Sequence, residues 1–485
     1  MKSAPKTQLP APPGVYRLQA AGVADPGPAD PRAADPSASL PAGRVDLLVE
    51  LGPEAGSLGV PVRTATILAR AAPAEIDTHP AAAASITVDL TTAVVMPGMV
   101  NAHTHLDLTH LGPLAHDPGE GFVTWVDRVR EGRAQTPEAI TASVRRGIEL
   151  SLRAGVVLVG DIAGAAAGVP RLEPRHALAG SPLSGVSFLE FFAIGSREAA
   201  ALERLDAVLE QAARDGLTES RKTPHAAPAT RLGLQPHAPN TVSLPAYRHA
   251  VELARRYNLA LATHLAETPE EHEFIAHATG PQREMLERFG IWTDDILEHI
   301  GKGLSPIQHL AAVLAESPFI AAHCNDVGEP ARAFETLATT HTSVAYCPRA
   351  STYFNAAAHF GPHRYRDMLA AGINVCLGTD SILNLPQGTD APDGPGMSIL
   401  DEARLLYERD NTDPRTLLRM MTINGCRALR WDEAACSLAP GATPLGLVAV
   451  DISGTPGDQP APERLLRSRA HSQLLTVAPS FPDHS

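Results

Sequence analysis

His103-Thr104-His105 lies within the stretch Val94 to Gly112, VVMPGMVNAHTHLDLTHLG. The apolar run and Pro-Gly pair that lead into it predict a β-strand closed by the two histidines. Residues two apart on a strand share a face. Two imidazoles on one face are half of a metal site, because neutral imidazole nitrogen is a common ligand of zinc and related ions. In a chain with 20 histidines such a pair also arises by chance, so its weight depends on partner ligands further along the chain. His264 in ATHLAE, His323 in IAAHCND and Asp380 in CLGTDS each stand where an apolar run ends.

These residues need elements that bring strand ends together. From Val94 onward short apolar runs alternate with longer stretches whose apolar positions recur every three or four residues. Gly155 to Asp161, Ser187 to Ala193, Thr230 to Gln235, Leu259 to His264, Phe319 to His323, Ser343 to Cys347 and Ile373 to Gly378 are predicted strands. Pro137 to Ala154, Arg197 to Asp215, Leu244 to Tyr257 and Tyr365 to Ala371 are predicted helices between them. Eight strands alternating with helices predict an α/β chain with a (β/α)8 TIM-type barrel, whose site gathers at the C-terminal strand ends. The candidate residues fall at the ends of the first, fifth, sixth and eighth strands of that count. Ahead of the barrel, Val15 to Gln19, Val45 to Leu51, Thr64 to Leu68 and Ile86 to Leu90 read as strands of a small sheet. Ala24 to Pro41, rich in Pro, Ala and Asp, reads as an exposed or disordered insertion.

With 485 residues, 44% of them hydrophobic, the chain can bury a large core and a smaller companion domain. A net charge of −14 and the absence of any lysine- or arginine-rich run argue against nucleic acid and point to a small-molecule partner. The start lacks the apolar core of a secretory signal and no apolar run is long enough to span a membrane, so a cytoplasmic protein is expected. Cys324, Cys347, Cys376, Cys426 and Cys436 are widely spaced, which suits buried thiols better than a disulfide framework.

HTH, THLAE, AHC and GTDS, together with PHAP at Pro236 to Pro239, resemble the metal-dependent amidohydrolase superfamily, in its branch of cytosine, guanine and adenosyl-type deaminases and chlorohydrolases. FVTWVDRVREGR (Phe122 to Arg133), GPQREMLERFGIW (Gly280 to Trp292), GLSPIQHL (Gly303 to Leu310), YCPRAS (Tyr346 to Ser351) and MSILDEARLL (Met397 to Leu406) resemble the aminodeoxyfutalosine deaminases of menaquinone biosynthesis. The resemblance implies a barrel over residues 94–430, flanked by a small β-sandwich built from residues 1–93 and 431–485. It also implies one divalent ion, zinc with iron(II) or manganese(II) as alternatives, held by His103, His105, His264 and Asp380. Three imidazoles and a carboxylate with one open position suit a catalytic rather than a structural ion.

Glu267, three residues past His264, can pass a proton from water to a ring nitrogen, as a non-ligand glutamate does in zinc nucleobase deaminases. Its bland alternative is a helix-dipole charge, which Glu270 and Glu271 fit better. By the resemblance His323 orients the attacking water or the leaving group, a ligand role remaining open, and it shares the water proton with Asp380. His237 resembles the family's substrate-contacting histidine. Trp125 and Arg349 are further substrate candidates against even alternatives of core packing and solvation. Arg128, Arg130 and Arg133 fit either an anionic substrate group or a solvated helix face. Asp107 can orient a ligand. His110, His116, His272, His277, His299, His309, His341, His359 and His363 are expected to face solvent.

One departure concerns the small sheet: Pro440 to Val448 reads PGATPLGLV where relatives carry an Asp before the strand. The expected activity is replacement of an exocyclic amine on an adenine-type ring by oxygen, with aminodeoxyfutalosine as substrate. The alternatives are deamination of S-adenosylhomocysteine, 5′-methylthioadenosine or guanine, a chlorohydrolase or amidase reaction at the same site, and a non-catalytic barrel scaffold. Besides its small-molecule substrate, the partner expected is a second copy of the chain, in a homodimer.

Overall fold

The computed structural model describes residues 12–27, 44–55, 62–166, 168–218 and 229–476. Strands β1 (Gly14–Val23), β2 (Val45–Ala55), β3 (Val62–Ala71) and β4 (Ile86–Pro97) precede the barrel. Strands β14 (Leu447–Asp451) and β15 (Ser472–Leu474) return to the same sheet after it. Together they form one six-stranded sheet in the order β15-β14-β4-β1-β2-β3. The small domain expected as a β-sandwich is therefore, among the described residues, a single sheet drawn from both chain ends. Its core uses the two-residue period of β1, where Tyr16, Leu18 and Ala20 are buried, and adds Leu47, Val49, Ile67 and Leu447. The missing Asp of PGATPLGLV costs no strand, because β14 pairs antiparallel with β4 on one side and β15 on the other.

Most of the expected insertion Ala24 to Pro41 lies outside the described residues. Its first residues depart from the expectation of exposure: Ala24 is buried, and Asp25 forms an ion pair with Arg70 of β3. The expected His-bearing strand starting at Val94 is divided. Val94 to Pro97 belong to β4, and the chain enters the barrel only at β5 (Met99–His105). Gly98 makes the switch, since a Cβ there would meet the Val157 side chain at 2.5 Å.

The barrel strands are β5, β6 (Val156–Ala163), β7 (Ser184–Phe191), β8 (Thr230–Pro236), β9 (Ala260–Leu265), β10 (Phe319–His323), β11 (Ser343–Tyr346), β12 (Val375–Leu377) and β13 (Asp380–Ser381). They form a nine-stranded sheet in the order β12-β11-β10-β9-β8-β7-β6-β5-β13, every resolved pair parallel. β12 bonds β11 at one edge and β13 bonds β5 at the other. Gly378 N–H donates to Tyr346 O (2.9 Å) and Thr379 N–H to His103 O (3.1 Å), so one short stretch joins both edges. The sheet thus curls back on itself, as in a (β/α)8-type barrel. β7 begins three residues earlier than the predicted strand, because its pairing with β6 starts at Ser184.

Helices cover the outside. Pro137–Arg153 buries Ile140, Val144, Ile148 and Leu152 at four-residue spacing. Each such side chain contributes about 1.5–3 kcal/mol on burial. Its start is fixed by Thr136, whose side chain accepts the Ala139 N–H, with Pro137 in the first turn. Leu244–Tyr257 begins the same way, Ser243 accepting the Ala246 N–H. No helix among the described residues is long and apolar enough to cross a membrane. All five cysteines are buried thiols.

Gly160 on β6 lets β5 approach: a Cβ there would stand 2.3 Å from the Ala102 carbonyl oxygen, one residue before His103. Gly160→Ala should therefore destabilise the fold by about 1–3 kcal/mol, the usual scale of overpacking. Gly457→Ala, with nothing within 4 Å of the added carbon, should leave it unchanged. Urea denaturation of the two variants checks the contrast, and equal stability would refute it.

Candidate active site

Strand ends set the geometry. His103 and His105 share one face of β5, His264 lies near the end of β9, His323 ends β10 and Asp380 opens β13. Donor atoms of His103, His264, His323 and Asp380 all lie within 4.8 Å of one another. His105 Nε2 stands 3.2 Å from His264 Nε2 and 3.7 Å from Asp380 Oδ1, and His103 Nε2 lies 3.5 Å from the same oxygen. The expected ligands are thus brought together, and His323 joins them as a fifth donor.

The backbone is bent to make this possible. His323 (φ 72°), Cys324 (φ 49°) and Asp380 (φ 60°) are left-handed, at a cost of about 1–3 kcal/mol for a non-glycine residue. Such strain survives where the surroundings enforce it: Cys324 N–H donates to Leu265 O and Thr379 N–H to His103 O.

The donor set fits a divalent ion. His103 Nε2 and His323 Nε2 are buried without a hydrogen-bond partner. Burial pushes the imidazoles of His105, His264 and His323 well below their usual proton affinity, and neighbouring imidazoles add to this. Neutral nitrogens with free lone pairs are what a cation needs and what a protein interior otherwise avoids. His264 Nδ1 lies 3.1 Å from the His237 carbonyl and 3.2 Å from the Gln235 side-chain amide, so donation to that carbonyl leaves Nε2 to face the cluster.

Glu267 follows β9, its side chain 14% exposed and its Oε1 3.5 Å from His323 Nε2. Burial pushes its carboxyl well above the ordinary range, with Asp380, Glu271 and Glu270 adding repulsion. His237 packs beside His264 with ring centroids 4.9 Å apart and is fixed by Thr241, whose hydroxyl lies 2.7 Å from its Nδ1. Burial, aided by the Arg133 charge, lowers it to about 3, so its ring is neutral.

The other expected contacts fall differently. Trp125 lies on the helix Phe122–Gly132, stacked on Phe122 and edge-on to Phe354. Phe122, Phe354 and Glu267 line one small cleft with His116 and His359. Arg349 is anchored within the protein, its Nε bonding Glu402 (2.5 Å) and its Nη2 the Ser398 carbonyl (2.7 Å). Glu402 is fully buried and needs that countercharge. Arg128 pairs with Glu120, and Arg130 with Asp127 and Glu131. Three of the histidines expected to face solvent do not. His309 is buried, His363 stacks on Tyr346 at 3.7 Å, and His116 stacks on Tyr353.

Sequence reasoning missed a buried charge network behind the histidines. Arg133 lies 3.4 Å from both Asp107 Oδ2 and Glu190 Oε2, and Glu190 also accepts the Ala165 N–H. Asp161, pushed to about 7 by burial and Asp107, accepts the Leu106 N–H and the Ser187 hydroxyl. The only sequence signal was three acids at strand or strand-adjacent positions with one arginine at a helix end.

Residues 94–467 match the amidohydrolase family. The chain belongs to that family. As an amidohydrolase it is a hydrolase of carbon–nitrogen bonds in cyclic amidines. It is 30% identical over 350 residues, 70% of this chain and 73% of the relative, to the aminodeoxyfutalosine deaminase of Deinococcus radiodurans. It is 27% identical over 379 residues, 76% of each chain, to the 5-methylthioadenosine/S-adenosylhomocysteine deaminase of Moorella thermoacetica. A zinc-bound adenosine deaminase from Xanthomonas campestris shares the fold, with TM-score 0.62, 20% identity and coverage of 96% of this chain and 91% of that one.

Arg133→Met would leave Asp107 and Glu190 buried without their cation. Breaking one side of a buried pair typically costs about 3–5 kcal/mol, so the urea midpoint should fall accordingly. A loss within about 1 kcal/mol, the scale of an exposed pair, would show that the network is solvated.

Proposed function

We propose that this amidohydrolase deaminates an adenine-type ring and that aminodeoxyfutalosine is its substrate. The observation that carries the reading is Glu267, a buried carboxyl 3.5 Å from His323 Nε2, beside the donor cluster but outside its core, whose burial favours the protonated form. His103, His105, His264 and Asp380 would hold one divalent ion, and that ion would supply Lewis-acid activation of water. Asp380 and His323 take the proton of the attacking water. Glu267 gives a proton to the ring nitrogen next to the amine-bearing carbon, so that the ring accepts the oxygen there. Return of protons to the amine releases ammonia, and ring amine plus water becomes ring carbonyl plus ammonia. His237, neutral and fixed by Thr241, contacts the ring or its sugar.

Two things support the substrate. One is the 30% identical relative; the other is the aromatic surface of Phe122, Trp125 and Phe354 beside the cleft over Glu267. The arginines expected to meet an anionic tail are engaged with Glu120, Asp127, Asp107 and Glu190, and lend the substrate no support. The 27% identical relative favours 5′-methylthioadenosine or S-adenosylhomocysteine as the second reading. The intact donor set together with Glu267 disfavours a non-catalytic scaffold.

Metal analysis should find one ion per chain, and Asp380→Asn should lose it. Glu267→Gln should keep the ion and slow turnover by about a hundredfold or more, the scale of a lost general acid. Two ions needed for turnover, or near-normal turnover in metal-loaded Glu267→Gln, would overturn these roles.

The substrate itself is tested by kcat/KM for aminodeoxyfutalosine, adenosine, 5′-methylthioadenosine and S-adenosylhomocysteine, with guanine and cytosine as controls. Aminodeoxyfutalosine should lead. A tenfold preference for another compound, about 1.4 kcal/mol of transition-state binding, would reject the assignment.

A further inference from the structure

Glu271 sits in the first turn of the helix Pro269–His277, and Thr268-Pro269-Glu270-Glu271 has the spacing of a capping box. In that motif the glutamate accepts the N–H of the capping residue itself. Here only half of the motif is made in that way: Thr268 accepts the Glu271 N–H at 3.2 Å. The Glu271 carboxylate reaches past Thr268 and accepts two main-chain N–H groups, Ala266 on one oxygen (2.9 Å) and Glu267 on the other (2.7 Å). Glu271 is 3% exposed, so these bonds meet no competition from bulk water.

The segment it grips is one that would not hold its shape alone. Ala266 is left-handed (φ 55°), a conformation that alanine rarely adopts. The other side is held too. Asn325 Nδ2 donates to the Glu267 carbonyl (3.0 Å), Ser351 donates to Asn325 Oδ1 (2.5 Å), and Asp326 N–H donates to Ala266 O (3.0 Å). The peptide units on either side of the Glu267 Cα are thus clamped by buried groups from two directions. The Glu267 carboxyl itself receives none of these bonds, which leaves it free to exchange a proton 3.5 Å from His323.

We infer that Glu271 is a positioning residue for proton transfer: through its two main-chain bonds it aims the Glu267 carboxyl at the reacting ring. The inference rests on Glu267 being the proton carrier, and the test separates the two. Glu271→Gln keeps the length of the side chain but points an amide N–H2 at one of the two N–H donors. It should lower kcat by about tenfold to a hundredfold, the scale of a small misplacement of a reacting group. KM and metal content should stay within about twofold. A double-mutant cycle then asks whether Glu271 acts through Glu267, because residues that work as one unit are not additive. Glu267→Gln/Glu271→Gln should be no slower than Glu267→Gln alone.

Multiplying penalties, or unchanged kcat per metal-loaded chain with only a lowered thermal midpoint, would reduce Glu271 to a helix cap and overturn the inference. Near-normal turnover in Glu267→Gln alone would instead remove the proton carrier and with it the basis for positioning. Should Glu271→Gln not fold, Asn325→Ala releases Glu267 from the other side. It should show the same kcat loss and the same non-additivity, and an additive penalty there would overturn the clamp.

Discussion

Neutral imidazole nitrogens buried with no protein hydrogen to accept are the constraint on which the rest of this structure depends. Stacking His105 against His264 with their Nε2 atoms 3.2 Å apart, and leaving His103 Nε2 and His323 Nε2 unpartnered, is unfavourable in a dry interior unless something else satisfies them. The fold sustains the arrangement by brute enclosure. The strands that carry the donors are buried on both faces, and the chain accepts left-handed backbone at His323 and Asp380 to turn those side chains inward. A site so costly to build without a ligand is understandable as one built around a cation.

Much of this was legible in the sequence because strand ends announce themselves. An apolar run that stops at His, His, His or Asp marks both the element and the point at which it reaches the site, so His103, His105, His264, His323 and Asp380 could be placed from the residues alone. What could not be read were partnerships made across the chain. Whether an acidic residue after a proline is a helix-dipole charge or a clamp depends on where its carboxylate turns, and Glu271 turned toward Ala266 and Glu267. Likewise the arginines of Phe122 to Arg133 looked like a ready anion surface. They became an ion pair with Glu120, another with Asp127, and a buried network with Asp107 and Glu190, joining positions up to 57 apart in sequence.

The small sheet teaches the same lesson at the level of the backbone. A strand needs partners more than it needs a signature residue: β14 forms without the usual Asp because main-chain pairing is available on both edges and Leu447 to Val450 are buried. The barrel begins five residues after the expected boundary, at Met99 rather than Val94, for a related reason. Val94 to Met96 are as apolar as the barrel strand after them, and only the pairing of β4 with β1 and β14 distinguishes them.

Two carboxylates at one site must do different work, and their surroundings divide it. Asp380 stands between His103 and His105, within 3.7 Å of both Nε2 atoms, in the position of a ligand. Glu267 is one step outside that shell. Desolvation and the nearby charges of Asp380, Glu271 and Glu270 favour its protonated form, while a cation beside Asp380 would pull the other way. Environments that push two acids apart are how one site supplies both a ligand and a proton donor. Here the separation is enforced by main-chain clamps on Glu267, so that its side chain keeps facing His323 and the reacting ring while Asp380 stays with the imidazoles.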